Sequence, residues 1–224
     1  MPQLASASVV VLGATGGLGS SIATLCAQRG AALTLAGRDA ERLGSLGLGG
    51  TTMQADLRSP DAASAVLDAA MQAHGGVDVV VNATGVVAFG PVDELDLDVL
   101  EELFLTNTFI PFFVAKAAIE RMNAGGMIVN ISGVIAEQNL PGMAAYGASK
   151  AALASFSDAF GREARRKKIK VLDARPGHTE TGLATRAIAG QAPPFPQGLD
   201  PAHVARVIVD GIEADTKDLP SSAF

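Results

Sequence analysis

Ser8-Val9-Val10-Val11-Leu12-Gly13-Ala14-Thr15-Gly16-Gly17-Leu18-Gly19 is the stretch whose reading decides the fold. A short apolar run with the look of a buried strand stops at Gly13 in a glycine-rich turn, and the residues after it read as a helix. Glycines at a strand-to-helix turn allow a tight bend and let the backbone approach a pyrophosphate, which then sits at the positive helix N-terminus. The spacing here is Gly-x-x-x-Gly-x-Gly (13, 17, 19), which differs from the usual dinucleotide fingerprint. A glycine-rich turn by itself can be only a turn. At the head of the first strand–turn–helix unit it points to a cofactor cradle formed by Gly13, Thr15, Gly16, Gly17, Leu18 and Gly19.

Outward from this unit, β-branched runs alternate with helical stretches. Strands are expected at residues 8–12, 32–36, 52–55, 77–82, 127–131 and 170–174, and helices at 17–28, 60–74, 95–122, 143–167 and 201–214. Such alternation makes βαβ units around a parallel sheet. Several strands are apolar on consecutive residues, as strands covered by helices on both faces should be. Pro111 lies inside the third helix and should kink or break it near Asn107. A seventh strand within residues 218–224 would be short or missing, because the segment is brief and contains Pro220. With no repeat or linker, residues 1–224 read as one domain, and the proline-rich stretch from Ala192 to Gly198 is a loop inside it.

The bulk properties narrow the class. A chain of 224 residues suits one α/β domain, and 48% apolar against 18% charged residues excludes disorder. A net charge of −6 argues against a nucleic-acid binder. One cysteine, Cys26, forbids an intrachain disulfide and suits a reducing compartment. The first apolar run is broken at once by Gly13, so neither a signal peptide nor a membrane span is expected, and the chain reads as soluble and cytoplasmic. His74, His178 and His203 lack metal-ligand spacing, so no metal site is expected.

Tyr146-Gly147-Ala148-Ser149-Lys150 carries the chemistry. On a helix, residues i and i+4 share a face, so the phenol and the ammonium point into one space. A phenol of ordinary pKa near 10 is a poor acid or base at neutral pH, and a neighbouring cation favours its phenolate. The same pair on a helix is often only surface. Its partner is the glycine loop upstream.

With these residues in view, the chain resembles the short-chain dehydrogenase/reductase family over nearly its whole length. The matching features are the glycine loop, Asn82-Ala83-Thr84-Gly85, Asn107, Tyr146 with Lys150, and Pro176-Gly177-His178-Thr179-Glu180-Thr181, in the same order and with fitting separations. The resemblance implies a doubly wound Rossmann-type parallel sheet of order 3-2-1-4-5-6, with a curtailed seventh strand and helices on both faces. It also implies hydride transfer between a nicotinamide and a carbonyl carbon, with Tyr146 exchanging the proton. Lys150 would hold the nicotinamide ribose and lower the Tyr146 pKa, and Asn107 would complete a water-linked relay. Asp56 and Leu57 would lie at the adenine, Asn82, Ala83 and Gly85 along the cofactor, and Pro176, Gly177, Thr179 and Thr181 at its nicotinamide end.

The choice of cofactor rests on Leu35-Ala36-Gly37-Arg38-Asp39. An acid at the end of the second strand would bind the ribose hydroxyls of NAD, whereas an Arg accommodates the 2′-phosphate of NADP. No acid stands at the strand end, and the planar fork of Arg38 suits a phosphate, with Thr15 a second contact. NADP(H) is therefore expected ahead of NAD(H). The plainer reading makes Arg38 a solvated loop residue and Asp39 a helix cap.

Two departures from the family pattern stand out. Thirteen residues before Tyr146, where relatives carry a Ser that binds the substrate oxygen, this chain has Gly133, with Ser132 one residue earlier. Continued strand geometry would turn Ser132 away, and a twist or bulge beside the glycine would bring it in. Ser132 is therefore a candidate replacement. The alternatives are an enzyme working without that hydroxyl and a protein that binds NADP(H) as a sensor or scaffold. Leu12 stands where the family loop usually begins with Thr, leaving the loop without that brace.

Substrate choice in the family lies in the loop here numbered 183–199, which is apolar and rich in Ala, Pro and Gly. It implies a small or flat carbonyl or alcohol partner in an open pocket. Arg162, Arg165, Arg166, Lys167, Lys168 and Lys170 read as a solvated helix end, with docking of a carrier-bound substrate the sharper alternative. In relatives the helices at 95–122 and 143–167 pair across subunits, which implies a homodimer or homotetramer.

Overall fold

The computed structural model describes residues 4–224. Seven parallel strands form one sheet of order β3-β2-β1-β4-β5-β6-β7. They are β1 Ser8–Leu12, β2 Ala32–Gly37, β3 Thr51–Gln54, β4 Val79–Asn82, β5 Met127–Ile131, β6 Lys170–Ala174 and β7 Asp218–Leu219. The expected order holds, and the seventh strand exists as two residues paired with Asp173 and Ala174 of β6. Pro220 follows directly, and with no N–H it cannot extend the ladder.

The central strand shows why the sheet needs helices on both sides. Val9 and Val11 of β1 enter one apolar core, which also holds Ile22 and Cys26 of α1 (Gly17–Gln28) and Val204 and Ile208 of α7 (Pro201–Glu213). Val10 and Leu12 enter the opposite core, with Val66 of α3 (Pro60–His74) and Val114 of α5 (Ile110–Arg121). Each such side chain, fully buried, contributes roughly 1.5–3 kcal/mol.

The expected helix at 95–122 is interrupted as its proline requires. It runs as α4 (Leu97–Phe104), a π-helical turn at Leu105–Phe109, and α5. Pro111 has no N–H to give the carbonyl of Asn107 four residues back, and the wider turn falls there. By length and composition Leu97–Arg121 could cross a membrane, but 56% of its apolar window is buried inside the fold, as in a core helix. A short helix, α2 (Ala40–Ser45), follows β2, capped by the Asp39 side chain accepting from the Arg42 N–H, as the plainer reading of Asp39 has it. The helix expected at 143–167 is α6 (Ala144–Ala164), finishing in a tighter turn at Arg165–Lys167.

The chain order reverses between β1 and β4, and the crevice at such a switch point lies outside the carboxyl ends of the strands. Every element of the candidate site converges there.

Candidate active site

The glycine loop is shaped by contacts that only glycine permits. Gly13 has φ +74°, and a Cβ on it would lie 2.9 Å from the Ala83 carbonyl oxygen. A Cβ on Gly19 would collide with the Gly13 carbonyl oxygen, and one on Gly17 would lie 2.7 Å from the Thr181 carbonyl oxygen. The loops after β1, β4 and β6 therefore meet backbone to backbone, bringing Gly13, Gly17, Ala83 and Thr181 together. Backbone this bare at a helix N-terminus fits a pyrophosphate. Gly16 is the N-cap of α1 with no side-chain cap of its own, and Leu18 packs against the α1-side core.

Beside the cradle, Gly37 ends β2 without an acid, and the exposed guanidinium of Arg38 has no ion pair among the described residues. Arg42, which the sequence reading missed, reaches back from α2 to donate to the Thr15 carbonyl at 2.6 Å. Its i+3 spacing from Asp39 on a helix was the available signal. Asp56 is paired with Arg58 at 2.5 Å, which holds its carboxyl below the usual range, so its side chain is already engaged. Leu57 is core, which leaves its backbone for any adenine contact.

Asn82 is buried at the end of β4 and accepts from the Thr84 hydroxyl at 2.6 Å. Gly85 then brings two catalytic candidates together: a Cβ there would sit 3.5 Å from Asn107 Oδ1 and 3.6 Å from Lys150 Nζ. Asn107 is fixed by donating to the Val86 carbonyl and accepting from its N–H, each at 3.0 Å. Its Nδ2 also donates to the Ser149 hydroxyl at 3.0 Å, and Ser149 donates to the Tyr146 carbonyl at 2.8 Å. The π-helical turn is thus clamped to the first turn of α6, and Ser149 is a positioning residue that sequence reasoning passed over.

Tyr146 and Lys150 project from α6 as their spacing requires, with electrostatics that differ from expectation. Burial pushes the Tyr146 phenol up to about 12, and no nearby cation pulls it back. Lys150 Nζ donates to the Ile131 carbonyl at 2.8 Å. Burial draws Lys150 down to about 8, partly offset by the charge of Asp173. The expected lowering of the phenol by the lysine is absent: burial alone sets the direction.

Ser132 does not join Tyr146 and Lys150. It is fully buried, and its hydroxyl donates to Asp173 Oδ2 at 2.8 Å. Strand alternation puts Ser132 with Asn130, and the reversal to the site occurs at Gly133, φ +84°. The hydroxyl expected as a replacement donor is thus engaged with Asp173.

After β6, the Pro176 carbonyl accepts from Val134, the Thr179 hydroxyl donates to the Gly177 carbonyl at 2.9 Å, and Thr181 lies against Gly17. The segment 183–199 covers the open side. Leu183, Ala184, Ala187, Ala192 and Phe195 pack with Tyr146 on Val87, Phe89, Ile135 and Met143, making an apolar wall. Phe195 is held between Phe89 and His178, at 6.1 and 4.9 Å between ring centres. Near the far end of α6, Arg162 pairs with Asp158 as on a solvated helix end, and Lys170, the first residue of β6, pairs with Asp215.

Comparison with known proteins places the chain in a family. Residues 7–192 match the family model described as short chain dehydrogenase. An uncharacterised oxidoreductase of Methylorubrum extorquens is 33% identical over 199 residues, covering 85% of this chain and 80% of the relative. A versicolorin reductase of Emericella nidulans is 32% identical over 78% of this chain and 69% of its own. A solved short chain dehydrogenase of Burkholderia cenocepacia in complex with NADP superposes with a TM-score of 0.86 over 99% of both chains at 24% identity, a likeness of fold. A glycine-only cradle at the switch point, a Tyr–Lys pair beside it and these matches together place the chain in the short chain dehydrogenase family of oxidoreductases.

Proposed function

We propose that this protein is an NADP(H)-dependent oxidoreductase interconverting a ketone or aldehyde with its alcohol, with Tyr146 as the acid/base. One observation carries the reading: Asn107 and Lys150 converge on Gly85 next to a cradle that only glycine fits, with Tyr146 one helical turn before Lys150. Bound in that cradle, a nicotinamide dinucleotide supplies the hydride. Gly13, Gly16, Gly17, Leu18 and Gly19 would hold its pyrophosphate, Asp56 and Leu57 would lie at its adenine, and Asn82, Ala83 and Gly85 along its length. Pro176, Gly177, Thr179 and Thr181 would border the nicotinamide. Arg38, Arg42 and Thr15 support NADP over NAD, since Arg38 follows β2 where an acid would otherwise stand and Arg42 reaches the Thr15 carbonyl.

Tyr146 gives its proton to the carbonyl oxygen in reduction and takes it back in oxidation. Lys150 would hold the nicotinamide ribose, and Asn107 keeps the lysine side of the site in register. The apolar wall excludes water and selects a small or flat substrate of low polarity. Loss of an oxyanion donor typically costs roughly 10²–10³ in rate, so the glycine at 133 makes a slow enzyme rather than none.

A second reading, a cofactor sensor or scaffold with little turnover, is favoured by one observation: the hydroxyl of Ser132, the neighbour of Gly133, is committed to Asp173. The exposed aromatic stripe of Phe109 and Phe112, with Phe112 stacked on Phe156 at 3.7 Å, supports a homodimer or homotetramer through α5 and α6. A cytoplasmic setting agrees with the single, buried Cys26. The test is NADPH oxidation against a panel of ketones, aldehydes and quinones, with Tyr146→Phe alongside. Turnover at least a hundredfold lower in Tyr146→Phe, with NADPH binding unchanged, is the expected result. Tight NADPH binding with no turnover of any substrate would favour the sensor reading.

A further inference from the structure

The turn that follows β5 carries part of the apolar wall beside Tyr146, and a single guanidinium ties that turn to the sheet. We propose that Arg175 is a positioning residue for the reaction proposed above: its fork holds Glu137, and with it the turn 134–138, so that Ile135 keeps its place in the substrate wall. The inference rests on the reading of Tyr146 as the reacting phenol, and Arg175 acts on substrate only through the turn.

Backbone hydrogen bonds set Arg175 between the end of β5 and β7. The N–H groups of Ser132 and Gly133 donate to the Ala174 carbonyl at 3.1 and 3.2 Å, and that of Val134 donates to the Pro176 carbonyl at 2.9 Å. On the other side, the Arg175 N–H donates to the Leu219 carbonyl at 2.9 Å. Past Val134 the chain closes tightly, the N–H groups of Glu137 and Gln138 both donating to the Val134 carbonyl at 2.9 Å. The Arg175 side chain, 15% exposed, then gives each of three nitrogens to a different carboxylate. Nε donates to Glu137 of the turn, Nη1 to Asp173 of β6 at 2.7 Å, and Nη2 to Asp218 of β7 at 2.6 Å. A lysine, with all its donors on one atom, cannot span three partners in this way. Glu137 is gripped from a second side, accepting from the Ser221 hydroxyl at 2.5 Å. The Ser221 hydroxyl and the Arg175 guanidinium hold its carboxyl below the usual carboxylate range.

What the clamp positions is apolar. Ile135 is buried in one cluster with Val87, Phe89 and Met143, against which Tyr146 packs. It also lies under the first turn of α6, since a Cβ on Gly147, the residue after Tyr146, would be 3.5 Å from Ile135 Cγ1. Apolar contacts are non-directional and do not fix where along α6 the turn sits. Charge-assisted hydrogen bonds do fix direction. Nearer the strand, Gly133 has no side chain to anchor the turn, and Ser132 is turned to Asp173. The anchor therefore falls at Glu137.

The chain has one tyrosine and no tryptophan, so its intrinsic emission reports Tyr146 alone. Acrylamide quenching of that emission is measured in the native, cofactor-free protein for wild type, Glu137→Ala, Arg175→Lys, Ile135→Ala and Asp218→Ala. Releasing the turn exposes the phenol, so the quenching constant should rise about twofold or more in Glu137→Ala and Arg175→Lys, as it does when Ile135→Ala thins the wall itself. Asp218→Ala removes the arm to β7 and keeps the arm to Glu137, so it should quench like wild type. An unchanged constant in Glu137→Ala overturns the proposal, and so does an equal rise in Asp218→Ala, which would mean general loosening. If Glu137→Ala does not fold, Arg175→Lys decides by the same criterion. With a ketone that is turned over, Glu137→Ala should raise KM about tenfold with kcat and the NADPH Kd held, because the wall binds ground state and transition state alike. A lower kcat at unchanged KM also overturns it. Failure to reduce any carbonyl would remove the function proposed above and leave the quenching result standing, so the two ideas fail separately.

Discussion

At position 133 the backbone, not the side chain, is the obstacle to restoring the serine that related enzymes carry. A Cβ there has room, since its nearest neighbour is the Pro176 carbonyl oxygen at 3.7 Å, but φ is +84°. With ψ at 163° this is backbone essentially confined to glycine, and holding an L residue there costs on the order of 1–3 kcal/mol. Gly133→Ser and Gly133→Ala should therefore lower stability alike, by about 1–3 kcal/mol in urea titrations, and the serine should bring no gain in rate. A faster and undiminished Gly133→Ser would show that the loop relaxes to the ordinary conformation. On the cofactor side, Arg42 is held over the glycine loop by the Thr15 carbonyl. Charge-assisted hydrogen bonds are worth about 1.5–3 kcal/mol. Arg42→Ala should weaken NADPH binding about ten- to a hundredfold and leave NADH binding unchanged, read by calorimetry. Equal losses for both cofactors would remove Arg42 from phosphate recognition.

At the scale of elements, α1 is seated against its strand by Gly19, whose missing side chain makes way for the Gly13 carbonyl. Gly19→Ala should distort the turn and raise the Kd for NADPH at least tenfold. Gly44→Ala, in α2 with open space around it, should bind normally and gain a few tenths to 1 kcal/mol. The β1–α1 unit was legible in the sequence because strand, turn and helix each carry their own local signal, and so was the interruption at Asn107, because Pro111 announces it. The orientation of Ser132 was not legible. It depends on whether strand alternation persists to the last residue, and that is settled across the sheet by Asp173, 41 positions away in the chain. Helix α2 was legible only through Asp39 as its cap, because six residues carry too little periodicity, and Arg42 was overlooked. The effect of Lys150 on Tyr146 was misjudged for a related reason: spacing places two groups on one face, whereas burial decides their protonation.

Across the whole molecule, the lysine's burial links the active site to stability. Its pKa falls from 10.5 to about 8 on folding, which opposes the folded state at neutral pH by on the order of 3 kcal/mol. Between pH 8 and 10.5 the unfolded chain holds this proton and the folded chain does not, so this group makes stability rise with pH in that window. Lys150→Met should accordingly be more stable than wild type below pH 8, offset in part by the lost bond to Ile131, and the gap should narrow as pH climbs to 10.5. A gap independent of pH, measured by urea titration at pH 7 and pH 10, would mean the lysine keeps its ordinary basicity. The central claim is hydride chemistry at Tyr146, and deuterium tests it most directly. NADPH deuterated at C4 is incubated with a turned-over ketone, and the alcohol is read by mass spectrometry. One deuterium on the carbinol carbon, with product lost in Tyr146→Phe, is the predicted result; an alcohol without deuterium, or equal yield from Tyr146→Phe, would contradict it.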